Sequence, residues 1–296
     1  MTLEQLRIFL EVAAQQHVTR AAQALNMTQS AVSAAVLALE HRHGVVFFDR
    51  VGRGIVLTEA GRLFVPHAQA VLRRATEAEA YLNDLEGGVA GGLRIQASQT
   101  VASYFLPPHL MRYRARYPQV LLQFDQGNTA TVVQSLLAGE ADLGVVEGVV
   151  DAPGLDVQPI AKDWIRVVVG SAHPWAKKLR LSVGDLVRAD WVMREAGSGT
   201  RAAFDAALTE ADVLPDSLSV LMELPSNEAC IAAIETGTGA TVLSRLAAAP
   251  HIAQGLIVEA NFDLPARTFS MLTPRNRHQS RAAQAFIAQM AQGSSA

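Results

Sequence analysis

Residues 58–86 constrain this chain more than any other segment, because they read as one long helix with its apolar side chains on a single stripe. Leu63, Ala70, Val71, Ala75, Ala78, Leu82 and Leu85 recur at helical spacing, and Thr58, Glu59 and Ala60 open the run. A lone helix of that length cannot hide such a stripe, so a second copy of the chain is the natural partner; packing onto its own chain is the alternative. Pro66 either kinks the helix or marks its first turn. Gly87, Gly88, Gly91 and Gly92 then break it and supply a hinge. At 296 residues the chain is too long for one ordinary core, and this helix separates two stretches of unlike texture.

The first stretch, 1–58, reads as short helices followed by a hairpin. Leu3, Leu6, Phe9, Leu10 and Ala13 lie on one helical face. A second helix covers 19–24, with Thr19 or the residue before it as cap. Asn26 and Met27 make a turn, and Thr28 caps a third helix reaching about 41. That helix turns Val32, Val36 and Leu39 inward and carries Gln29, Ser30 and Ser33 on another face. Residues 45–50 and 55–57 then read as two short strands around a glycine-bearing turn. Two helices joined by a tight turn can cross a DNA backbone and set the second helix in the major groove. Short polar side chains near its amino end, such as Gln29, Ser30 and Ser33, suit base edges there. Arg50 and Arg53 on the hairpin suit phosphates or a neighbouring minor groove. Charge does not announce the activity: five arginines face four carboxylates over 1–58, about +1.

From residue 93 onward strands and helices alternate. Short buried strands are predicted at 93–97, 120–124, 142–146, 165–169, 191–193, 220–224 and 241–243, with helices near 103–117, 129–138, 200–211, 226–236 and 280–290. Continuous apolar strands between helices imply α/β units with both sheet faces covered. Three strand-to-helix junctions gather hydroxyls, amides and glycines: Ser98, Gln99 and Thr100; Gly127, Asn128 and Thr129; and Arg194 through Arg201, which includes Ser198, Gly199 and Thr200. Unpaired N–H groups at helix starts favour an anion, although each junction alone is ordinary capping chemistry. Arg194 and Arg201 either add charge to the site or one of them pairs with Glu195 or Glu210. Asn227 and Glu228 open a further helix, where capping competes with ligand contact.

Several classes are excluded. Half the residues are apolar and 18% are charged, a globular composition. The single cysteine, Cys230, permits no intrachain disulfide or multi-cysteine metal site and is expected to be buried. No apolar run approaches the ~18–20 residues that span a bilayer, and the first ten residues lack a signal-peptide pattern. A cytoplasmic, membrane-free location follows as an expectation. Ser198 lies between glycines but without the nucleophile-elbow spacing. His41 and His43 have no further metal ligand nearby, and no nucleotide-binding loop is present. An enzyme is therefore not expected, nor any cofactor. A solute-binding protein would share the α/β half but not residues 1–86.

The runs VTRAAQALNMTQSAVS over 18–33, Leu39-Glu40, FFDR over 47–50 and LTEAG over 57–61 resemble the LysR-type winged helix-turn-helix, and the resemblance extends over nearly the whole chain. It implies a DNA-binding transcription regulator. Its parts would be a winged helix-turn-helix at 1–58, a linker and dimerisation helix with hinge at 59–90, and an effector-binding domain at 91–296. The resemblance also implies a homodimer or homotetramer on promoter DNA, contacts from Thr19, Arg20, Thr28 and the residues named above, and RNA polymerase as a further partner. Ala34 and Ala35 stand where many relatives carry basic or amide residues, which implies fewer direct base contacts here.

The sensor half would resemble a type 2 periplasmic binding protein, two α/β lobes joined by two crossing strands with a ligand cleft between. Lobe one would hold about 91–162 and 267–294, lobe two about 163–266. REAGSGTR over 194–201, GNT over 127–129, Glu147-Gly148 and SNEA over 226–229 are similar to the branch regulating sulfur-oxyanion and carbon-fixation metabolism. QSAVSAA over 29–35 and FDRV over 48–51 are closer to its sulfite-responsive members. A small anionic effector follows from that resemblance, sulfite or sulfate first and a phosphorylated or carboxylated metabolite second. Glu147 is the difficulty, since a carboxylate in the cleft repels an anion. It either pairs with an arginine or meets a cationic part of a larger ligand.

Overall fold

The computed structural model describes residues 1–52, 54–85 and 87–293, which form two compact units, 1–82 and 83–296. In the first unit, helices α1 (Leu3–Gln15), α2 (Val18–Ala24) and α3 (Gln29–His43) precede a hairpin of β1 (Phe48–Val51) and β2 (Gly54–Leu57), and α4 (Glu59–Leu85) follows. Helix α1 buries Leu6, Ile8, Phe9 and Val12, whereas the expected Leu3 stays exposed. It is wedged between two cores and so needs an apolar arc wider than one stripe. Ile8 and Val12 meet Ala21, Ala22, Val32 and Val36, while Leu6 and Phe9 meet Leu39, Phe47 and Ala68. Helix α2 begins one residue earlier than expected. His17 occupies its cap position without a side-chain bond, so Thr19 lies inside the helix and caps nothing. Asn26 takes the left-handed conformation (φ 54°) that turns the chain into α3.

Glu40 explains its place beside Leu39: Oε1 accepts the backbone N–H of Phe47 at 2.7 Å, tying the end of α3 to the hairpin. Thr58 opens α4 by accepting the Gly61 N–H at 3.0 Å. A Cβ at Gly61 would lie 2.3 Å from the Phe47 carbonyl, so only glycine lets this helix approach so closely. The first half of α4 packs on its own chain, with Phe64 stacked on Phe47 at 4.8 Å and Ala68 fully buried. Pro66 is well inside the helix and not in its first turn.

The second unit strings β3 (Gly91–Ser98), a π-helical turn (Val101–Phe105), α5 (Pro107–Arg116), β4 (Val120–Gly127), α6 (Thr129–Ala138), β5 (Leu143–Glu147) and β6 (Leu155–Gly170). After a 3-10 turn (Pro174–Lys177) come α7 (Val183–Arg188), β7 (Asp190–Arg194) and α8 (Gly199–Glu210). A second such turn (Pro215–Ser217) leads to β8 (Ser219–Leu224), α9 (Asn227–Ile234), β9 (Ala240–Ser244), α10 (Arg245–Ala253), β10 (Ile257–Glu259), β11 (Ala266–Pro274) and α11 (Arg281–Gly293). The strand order is β4-β3-β5-β11-β6-β9-β7-β8, with β10 also on β6.

Strands β6 and β11 run antiparallel from the Trp164↔Ala266 pair to the Leu155↔Pro274 pair. Beyond Trp164, β6 leaves β11 and pairs with β9 from Ile165 onward. The sheet thus has two halves joined by long strands, and each half is covered on both faces. Leu93, Ile95, Tyr113, Phe269 and Phe286 fill one face of the first half, and Val132, Leu136 and Val146 the other. Trp191, Phe204 and Val167 fill one face of the second half, and Ile231, Ile234 and Leu243 the other. Double coverage accounts for the near-continuous apolar β5, β7 and β9, whereas β8, expected to be buried, ends the sheet and leaves Val220, Leu221 and Met222 exposed. Among the described residues, no helix is long and apolar enough to cross a membrane, and no cluster of metal-ligating side chains is present.

Candidate functional site

In the first unit, Thr28 caps α3 by accepting the Ala31 N–H at 3.2 Å, and its hydroxyl shares a 3.1 Å hydrogen bond with Ser30. The same cap leaves the amino end of α3 in solvent. Gln29 and Ser30 are exposed and Ser33, one turn on, is half-buried. Thr19 and Arg20 are exposed on the first turn of α2, and Arg50 is exposed on β1. Arg53 lies outside the described residues. Val32, Val36 and Leu39 hold the opposite face of α3 in the two cores. One helix therefore offers short polar groups outward from a rigid base, the geometry that base-edge contact requires. Ala34 is exposed on this surface and adds no donor or acceptor there.

In the second unit, the carboxyl ends of β3, β4, β5, β7 and β8 converge. Crevices outside such ends are where open α/β sheets hold ligands. Gln99 is the central connector: its Oε1 accepts from Arg194 Nη1 at 3.1 Å and from the Asn227 N–H at 3.2 Å, while its Nε2 donates to Glu228 at 2.8 Å. Asn227 accepts from Arg194 at 2.8 Å and donates to Thr100 at 3.1 Å. Tyr104, on the π-helical turn, donates to Glu228 at 2.6 Å. Across the crevice, Asn128 caps α6 and also donates to Glu195 at 3.3 Å. Thr129 donates to the Glu147 carbonyl at 3.2 Å. Gly199 comes so near that a Cβ there would lie 2.4 Å from that same carbonyl. The positive φ of Gly197 (87°) turns the chain into α8, which Ser198 caps.

The centre is a buried charge cluster. Ser98 donates to Glu147, whose side chain is 1% exposed. Arg267 Nη1 stands 4.0 Å from that carboxylate and donates to Thr200 at 2.9 Å, while Arg267 Nε donates to Asp163 at 2.7 Å. Asp163 also accepts from Ser244 at 2.7 Å. Burial pushes Glu147 above the usual carboxylate range against the opposing pull of Arg267 and Arg194. Burial likewise pushes the Cys230 thiol up to about 11, so this cysteine is packing and not a reactive thiolate.

Most of the residues expected at an effector site meet in this network, whereas Gly127 ends β4 against Thr131, and the duties of the others differ. Arg194 spends its donors on Glu195, Gln99 and Asn227. Arg201 bonds Glu223 and the Arg194 carbonyl and approaches Asp205 at 3.8 Å, rather than pairing with Glu210. Asn227 does not cap α9; Ser226 does, by accepting the Ala229 N–H at 3.1 Å, which frees Asn227 for the crevice. Asp163 and Arg267 escaped sequence reading. Their one signal was a pair of opposite charges at the lobe boundaries expected near 162–163 and 266–267.

The model of the LysR substrate binding domain matches residues 86–295, and that of the bacterial regulatory helix-turn-helix protein, lysR family, matches 3–62. The chain is 36% identical to YeiE of Escherichia coli (strain K12), described as an uncharacterized HTH-type transcriptional regulator, over 97% of this chain and 96% of that one. It is 33% identical to a probable RuBisCO transcriptional regulator of Cyanidioschyzon merolae, over 98% and 97%. Full-length CbnR complexed with its target DNA shares the fold at a TM-score of 0.72 and 20% identity, over all of both chains. The CcmR regulatory domain of Synechocystis PCC6803, solved with 2-PG, aligns with 69% of this chain and 98% of its own length at a TM-score of 0.63 and 26% identity.

Proposed function

The chain belongs to the LysR family of bacterial transcriptional regulators, DNA-binding proteins with an effector-binding domain, and from that premise we propose how its two units divide the work. Residues 1–58 read promoter DNA, 59–90 join two copies, and 91–296 bind the effector between lobes at about 91–162 with 267–294 and at 163–266. The working form is a homodimer or homotetramer in the cytoplasm, with RNA polymerase as a further partner. The exposed amino end of α3 carries the DNA reading. Gln29, Ser30 and Ser33 face base edges, while Thr19, Arg20, Thr28, Arg50 and Arg53 hold the backbone. In an electrophoretic shift assay, changing Gln29 and Ser33 together to alanine abolishes the preference for the operator. Each lost base contact is worth about 1–3 kcal/mol. Equal retention of unrelated duplexes by the unaltered protein at physiological salt would remove this reading.

The effector is a small anion, sulfite or sulfate first and a phosphorylated or carboxylated metabolite second. Support comes from the convergence of capped helix starts and hydroxyls on one crevice. By its unequal affinity for two lobe arrangements, the ligand biases the hinge and so the spacing of the paired DNA-reading units. A thermal-shift screen of the full chain should show a rise in Tm with the correct anion, because a ligand of the native state stabilises by mass action. No shift with sulfite, sulfate or thiosulfate at millimolar levels removes the first choice. 2-PG belongs in the panel because the CcmR domain binds it.

A further inference from the structure

Arg267 is the one cation at the centre of the crevice whose fork is incomplete. The residue is 6% exposed, and its Nη2 is buried without a hydrogen-bond partner among the described residues. By contrast, Arg194, the other buried arginine there, uses all three of its nitrogens. A buried guanidinium N–H left unbonded is destabilising, and such a group in a native fold calls for an explanation. The rest of the fork is held in place: Asp163 fixes Nε and the Thr200 hydroxyl fixes Nη1. Thr200 lies in the first turn of the twelve-residue helix α8, where N–H groups lack helical partners and partial positive charge gathers. The free donor and this helix start are thus joined through one side chain.

Resting on the anionic-effector reading above, we propose that Arg267 is the effector-selecting residue, its free Nη2 donating to an oxyanion group that also faces the start of α8. The recognised chemistry is an oxyanion group, whether of a free inorganic ion or the anionic end of a metabolite. Glu147 does not forbid this. Its burial raises the pKa of the carboxyl and so disfavours the charge that would repel the ligand. Nor is Asp163 a competitor, since it already pairs with Arg267 and accepts from Ser244.

The test is calorimetric titration of the full chain with sulfite, sulfate, phosphate and 2-PG. Arg267→Lys keeps the charge beside Asp163 but loses the planar fork, and should bind the preferred anion at least about tenfold more weakly. The double variant Arg267→Gln/Asp163→Asn removes both charges, so no unpaired ion is buried, and should lose on the order of a hundredfold. If the double variant fails to fold by circular dichroism, the lysine variant decides alone. Binding of 2-PG only would identify a metabolite as the source, and binding of an inorganic anion a free ion; both agree with the proposal if the variants weaken it. An anion held as tightly by the variants as by the unaltered protein overturns the role of Arg267 and spares the anionic effector. Failure of the unaltered protein to bind any of the four overturns both.

Discussion

Glu147 sits in surroundings at odds with its chemistry, a carboxyl buried beside Ser98 and within 4.0 Å of Arg267. Its folded-state pKa lies above the ordinary 4.5, so the unfolded chain gives up that proton first as pH rises. Stability from the neutral form is therefore complete below the ordinary value and is lost as pH climbs through the raised one. Glu147→Gln should match the unaltered protein in Tm at acidic pH and gain a widening advantage as pH rises, levelling off once Glu147 ionises in the fold. An advantage that shrinks with rising pH would mean that the arginines outweigh burial. Sequence placed Glu147 in the crevice and offered an arginine as one partner, but not which arginine. Its neighbour, Arg267, lies 120 positions away in the chain, and no local pattern brings such a pair together.

At the scale of elements, α4 changes partners along its length. Its first half is held by Phe9, Phe47 and Phe64. Further on, Val71 and Leu82 are 39% and 61% exposed, eleven residues and so about three turns apart on one face. Leu63 of the same stripe is also exposed, at 65%, and in the proposed dimer these side chains would meet a second copy. Replacing Val71 and Leu82 together with glutamate should shift the oligomer toward smaller species in light scattering, with helix content retained. An unchanged mass would place the interface elsewhere. The stripe was legible because it is periodic. By contrast, β11 and the first half of β6 were not predicted as strands. The 156–159 segment, Asp-Val-Gln-Pro, is exposed throughout, and pairing with β11 makes it a strand without burying its side chains. The helix expected near 103–117 divides at Leu106, because Pro107 and Pro108 suit the first turn of a new helix rather than the middle of an old one.

For the whole molecule, the near-neutral charge of residues 1–58 makes salt dependence a discriminating measurement. With Arg20, Arg50 and Arg53 as the phosphate contacts in each copy, a dimer should give a modest slope of log affinity against log salt, about −5. Arg50→Ala should lower affinity for operator and unrelated duplexes alike and reduce that slope by about 2 in the dimer. A slope that Arg50→Ala leaves unchanged would remove that arginine from the DNA surface. Sequence by itself determined the two-part organisation, the capped recognition helix and the helix starts around the crevice, because periodicity, caps and turn residues act over a few positions. Only tertiary structure decided which charges meet in the crevice. Strand β11 pairs with β5 and β6, elements more than a hundred positions earlier, and this register sets Arg267 against Asp163 and Glu147. Such a meeting depends on how distant strands align, a choice set by the packing of both cores at once rather than by any short run of residues.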